Sequence, residues 1–101
     1  MNLKQEISAS PDVVFQEIEG ESVLLHLNDG KYFGLDQVGT RIWQLMIERG
    51  NLSAVFEQMV TEYDVTPEKL RADLEKLVRE LVEKDLLRLQ GAEPGRDSEQ
   101  G

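Results

Sequence analysis

Apolar positions in this chain follow two different periods. From Val13 to Leu35 they come in short runs of β-branched, leucine and aromatic residues; from Val38 to Leu81 they recur at helical spacing. The runs VVFQEI (13–18), SVLLHL (22–27) and KYFGL (31–35) suit strands. Glu19-Gly20-Glu21 supplies a turn between the first two, and Asn28-Asp29-Gly30 a hairpin loop between the second and third. Two loop geometries fit. A two-residue turn on Asp29-Gly30 sets Leu27 opposite Tyr32, and a three-residue loop with Gly30 left-handed sets Leu27 opposite Lys31. The second gathers Leu25, Leu27, Phe33 and Leu35 on one face and leaves Leu24, His26, Tyr32 and Gly34 on the other. The cleaner apolar face favours it, because register follows the buried pattern.

Asp36 is placed to cap a helix that runs to about Arg49, with the stripe Val38, Ile42, Leu45 and Met46. Trp43 lies beside that stripe and is expected to close the core against the sheet. Gly50 suits a left-handed stop. Ser53 is expected to cap a second helix, whose buried face is Val55, Phe56, Met59, Val60 and Tyr63. Thr66-Pro67 starts a third, with a cap hydroxyl and then proline at the first position. It reaches about Lys84 on the stripe Leu70, Leu74, Leu77, Val78 and Leu81, with outward Glu75–Arg79 and Glu80–Lys84 pairs. The run LLRL (86–89) is a short closing strand or a further apolar anchor. Residues 1–10 are polar and aperiodic and are expected to be flexible; residues 90–101 are polar with glycine and proline and are expected to be disordered. One domain over residues 11–89 remains. Three strands followed by three helices give an α+β fold, winged helix-turn-helix-like, with a three-stranded antiparallel sheet.

Composition narrows the function. The 101 residues carry a formal net charge of −9. Such a surface disfavours nucleic acid and anionic membranes, both of which recruit basic residues. Cysteine is absent, which excludes disulfides, thiolate metal sites and a cysteine nucleophile. No apolar run has the length of a membrane span, and the first residues lack a signal-peptide core, so the cytoplasm is the expected location. His26 is the only histidine and has no companion ligands, so no metal or other cofactor is expected. The acidic residues follow helix faces and loops rather than forming a catalytic pair, and no enzyme activity is expected.

The strand at 31–35 closes a meander, so it is expected to be a sheet edge, where an extended peptide can add itself. Lys31, Tyr32, Phe33, Gly34 and Leu35 are the candidate edge contacts, with Leu25 on the face assigned to Phe33. Tyr32 suits a partly exposed place, Phe33 packs first, and Gly34 either kinks the strand end or admits another backbone. The third helix has a wide apolar stripe, as expected of a helix that faces both its own sheet and a guest. Leu70, Leu74, Leu77 and Val78 are its candidate contacts, and Arg71 and Asp73 flank them as candidate partners for charged guest residues.

These residues resemble the PqqD family, the RiPP precursor recognition elements. The resemblance rests on Glu19-Gly20-Glu21 before Val23-Leu24-Leu25, Gly30 to Leu35 (GKYFGL), Gly39, Ile42-Trp43, Tyr63-Asp64-Val65, Leu81 and Leu86-Leu87. It covers residues 13–89. Asp36 stands where the family often has asparagine, and Asp85 where it often has glycine. The resemblance implies a non-catalytic protein that binds the leader of a ribosomally made precursor peptide. The leader would lie antiparallel along the third strand and against the third helix, to be presented to a modifying enzyme. Gly39 with Ile42-Trp43 looks more like stand-alone members of lasso-peptide pathways, where the partner is a transglutaminase-like leader peptidase. The alternatives are a peptide chaperone for a radical-SAM enzyme of the pyrroloquinoline quinone type and a winged-helix DNA-binding protein. A monomer is expected, with an edge-paired or swapped dimer as the other option.

Overall fold

The computed structural model describes residues 3–90. The chain order is β1 (Glu6–Ala9), β2 (Val13–Ile18), β3 (Glu21–His26), β4 (Tyr32–Leu35), α1 (Gln37–Arg49), α2 (Leu52–Glu62), α3 (Pro67–Glu83) and β5 (Leu87–Gln90). An antiparallel sheet in the order β2-β3-β4 precedes three helices, the expected α+β arrangement.

The termini of the domain differ from expectation. Residues 1–10 are not all flexible: Glu6–Ala9 pair antiparallel with β5 in a separate two-stranded sheet. Ile7 is buried, its N–H donates to Gly50 O at 2.9 Å, and Ser53 N–H donates to Leu3 O at 2.7 Å. The segment EISA has little strand propensity of its own; pairing with the far end of the chain makes it a strand. Gln90 belongs to β5, and the rest of the expected tail lies outside the described residues.

Glu19 (φ 56°) and Gly20 (φ 85°) form the first hairpin turn, both left-handed as a type I′ turn requires. At the second hairpin both expected registers are wrong. Leu25 faces Tyr32 and Leu24 faces Phe33, which leaves a four-residue loop from Leu27 to Gly30. Its ends are closed by Gly30 N–H to His26 O and His26 N–H to Lys31 O, each 2.9 Å. The inner face is therefore Leu24 and His26 with Phe33 and Leu35, while Leu25 turns outward and Leu27 is exposed. A buried imidazole with partners on both ring nitrogens replaces the expected leucine.

Phe15, Leu24 and Phe33 make one row across the inner face, and Trp43 stacks on Phe15 with ring centroids 6.4 Å apart. Asp36 caps α1 through Gly39 N–H at 2.8 Å, and Gly50 ends it at φ 78°. Val38 is not part of the buried stripe; it stands exposed at the first turn. Asn51 rather than Ser53 caps α2, accepting from Ala54 N–H at 2.8 Å, and Leu52, Val55 and Met59 form its buried face while Val60 is exposed. Thr66 caps α3 with Pro67 in its first turn. α3 buries Leu70, Leu74, Val78 and Leu81 and leaves Leu77 half-buried.

Arg41 of α1 grips Glu62 at the end of α2 with two bonds, Nε–Oε1 at 2.9 Å and Nη2–Oε2 at 2.6 Å. The Arg41 and Gln58 hydrogen bonds hold the Glu62 carboxyl at about 2, below its ordinary 4.5. A depressed folded value stabilises the fold above the unfolded value, and that contribution is lost as pH falls through the folded one. The denaturation midpoint of the native chain is thus expected to exceed that of Glu62→Gln at neutral pH, with the gap closing between pH 4.5 and about 2. Leu74→Ala is expected to cost about 2–5 kcal/mol in denaturant unfolding, because Leu74 is fully buried. Val38→Ala at an exposed site should cost under about 1 kcal/mol.

Candidate functional site

β4 is an edge strand, and its register fixes which backbone groups are on offer. Hydrogen-bonded pairs alternate along an antiparallel ladder. The bond from His26 N–H to Lys31 O starts the count, so Leu24–Phe33 and Ser22–Leu35 are the hydrogen-bonded pairs. The N–H and C=O groups of Tyr32 and Gly34 therefore point away from β3, along the open edge. A Cβ added to Gly34 would point to the outer face of the sheet, beside Val23, and meet nothing within 4 Å, so that face is open there.

The edge forms one wall of a trough whose other wall is α3. One half, about 440 Å³, is lined by Phe33, Gly34, Leu35 and Asp36, by Val38, Gly39 and Ile42 of α1, and by Asp73, Leu77 and Glu80 of α3. The other half, about 700 Å³, lies between Asp29, Gly30, Lys31 and Tyr32 of the hairpin and Glu83, Lys84 and Asp85 at the end of α3. The Lys84 ammonium stands 5.9 Å over the Phe33 ring, between the two halves. The first half combines the apolar side chains of Phe33, Leu35, Val38, Ile42 and Leu77 with the acids Asp36, Asp73 and Glu80. Such a trough suits an extended segment with apolar side chains on alternate residues and basic residues to meet the acids.

The twelve expected contacts divide by place. Phe33, Gly34, Leu35, Asp73 and Leu77 line the first half, and Lys31 and Tyr32 the second. Leu70, Leu74 and Val78 are core residues at 4%, 0% and 0% exposure; they lie behind the wall and do not line it. Leu25 lies on the outer face of the sheet across from Tyr32, and Arg71 pairs with Glu75 at 3.5 Å away from the trough. Val38, Ile42, Glu80 and Lys84 were not expected as lining residues. The signal for Val38 was its place one turn before Ile42, immediately after the edge strand.

Among the described residues, no group of three or more histidines, cysteines or acids is placed to hold a metal ion. No described helix is long and apolar enough to cross a membrane.

The sequence profile of the family described as "Coenzyme PQQ synthesis protein D (PqqD)" matches residues 21–87. The chain belongs to this family. Two solved structures share the fold. One, "TbiB1 in Complex with the TbiA(beta) Leader Peptide", is 39% identical with a TM-score of 0.76, and the match covers 86% of this chain and 99% of that one. The other, "Lasso peptide synthetase B1 complexed with the leader peptide", is 23% identical with a TM-score of 0.74, covering 82% and 98% respectively. No curated protein sequence gives a significant match.

Proposed function

We propose that this protein is a non-catalytic adaptor. It binds the leader of a ribosomally synthesised precursor peptide by strand addition at β4 and presents it to a modifying enzyme, the leader peptidase of a lasso-peptide pathway. The observation that carries this reading is the open β4 edge, with the backbone of Tyr32 and Gly34 turned toward a trough walled by α3. A guest strand there gains main-chain hydrogen bonds from the edge and side-chain pockets from Leu77, Val38 and Ile42. Membership of the PqqD family and likeness to TbiB1, solved with a leader peptide, support the same reading. The lasso pathway is supported by the resemblance of Gly39 and Ile42-Trp43 to its stand-alone members, and the B1 synthetase shares the fold.

An adaptor needs a second surface for the enzyme. We infer that the outer face of the three-stranded sheet is that surface. Val14, Leu25 and Tyr32 form one row across it, Val23 lies in the next, and Ile18 and Leu27 extend it. Val14, Ile18, Val23, Leu27 and Tyr32 are between 42% and 75% exposed. Exposed apolar side chains gathered on one face in this way suit a protein contact. It lies beside the β4 edge without covering it, so peptide and enzyme can be held together.

Labelled leader peptides from precursors encoded beside this gene are expected to bind in fluorescence anisotropy with micromolar or tighter affinity, and scrambled versions are not. Absence of binding to every neighbouring leader contradicts the reading. Leu77→Glu puts an unpaired charge in the trough and is expected to weaken binding at least about tenfold in a protein that still unfolds cooperatively. Gly34→Pro removes an outward N–H without touching the β3 ladder and should have a similar effect. Full affinity in both variants would exclude β4 as the docking edge.

A further inference from the structure

Asp85 stands where the backbone calls for glycine. α3 ends in a Schellman motif: Leu86 N–H donates to Leu81 O at 2.9 Å and Asp85 N–H to Val82 O at 3.0 Å. The left-handed residue of that motif is Asp85, with φ 55°. Glycine adopts this conformation freely, and a side chain there is tolerated only where something holds it. What holds Asp85 is its carboxylate. Oδ2 is 3.2 Å from His26 Nε2, and Oδ1 is 3.6 Å from Arg88 Nε.

His26 is 4% exposed, at the end of β3 where the hairpin begins. Its Nδ1 accepts the Asn28 backbone N–H at 3.3 Å, so the ring proton is on Nε2 and is donated to Asp85. Asn28 is in turn tied through its side chain to Asp12 at 2.8 Å, and Asp29 accepts Lys31 N–H at 2.9 Å. The His26–Asp85 bond thus joins the hairpin that carries β4 to the end of α3. These are the two walls of the trough, and they meet at its Lys31–Lys84 end.

We propose that the His26–Asp85 hydrogen bond is a clasp that fixes the spacing of β4 from the C-terminal end of α3, making both residues positioning residues for the guest strand. The consequence for binding rests on the peptide-adaptor reading; the clasp itself does not. Because neither Lys84 over Phe33 nor the half-buried Leu77 locks the two walls by a directional bond, the clasp sets their geometry at the hairpin end.

The test uses the full chain with Asp85→Gly and Asp85→Asn. Glycine suits the left-handed position but supplies no acceptor; asparagine tolerates that position and keeps one. Amide hydrogen exchange is read in the free protein, and affinity is read with the leader peptides encoded beside the gene. Asp85→Gly is expected to speed exchange at Gly30 and His26 about fivefold to tenfold and to weaken leader binding by a similar factor. Exchange at Leu86 in the helix cap should be unchanged, and Asp85→Asn should restore both readouts. A side chain with a purely local role in the cap would leave hairpin exchange and affinity unmoved by glycine. Unchanged hairpin exchange in Asp85→Gly, or an asparagine variant that behaves like the glycine one, overturns the clasp. Faster hairpin exchange in a protein whose native form binds no leader supports the clasp and overturns only the adaptor reading.

Discussion

The pairing of Leu24 with Phe33 sets the register of the second hairpin, and the backbone groups offered at the β4 edge follow from it. With His26 inward, Leu24 meets Phe33 and Ser22 meets Leu35 on the core side. The Ser22 and Thr40 hydroxyls then bond at 2.7 Å in the interior, anchoring α1 to the sheet. The same register turns the backbone of Tyr32 and Gly34 outward. A shift by one residue would send Tyr32 into the core and offer the groups of Phe33 and Leu35 to the edge instead. Core packing and the choice of edge groups are therefore set by one register.

α3 serves two surfaces with one stripe. Leu70, Leu74, Val78 and Leu81 face the core, and Leu77, one step around the helix, faces the trough. Hydrophobic burial along the first row stabilises the helix and leaves Leu77 half-buried at the trough.

Much of the architecture was legible in the sequence. The three helices, the Asp36 and Thr66 caps, the Gly50 stop and Trp43 against the sheet all came from local chemistry acting at short range. β1 was not legible, because EISA becomes a strand only by pairing with residues some eighty positions away. The register was not legible either. A histidine is read as polar and outward unless its partners are known, and Asp85 lies too far along the chain for pattern to reveal it. That misreading also turned Leu25 toward the core. At the site, the edge strand and Leu77 were readable from position and stripe width. Stripe width cannot say which side of a wide face is covered, so Leu70, Leu74 and Val78 read as candidate guest contacts although the structure buries them.

The central claim is that a leader peptide becomes a fourth strand beside β4, bonded to Tyr32 and Gly34. Residue-resolved amide exchange of the native chain with and without a bound leader tests it most directly. The Tyr32 and Gly34 amides should exchange quickly in the free protein and slow by an order of magnitude or more on binding. Those of Phe33 and Leu35 should be protected in both states. Leader-induced protection along β2 instead, or binding that leaves Tyr32 and Gly34 exchanging freely, would contradict the account.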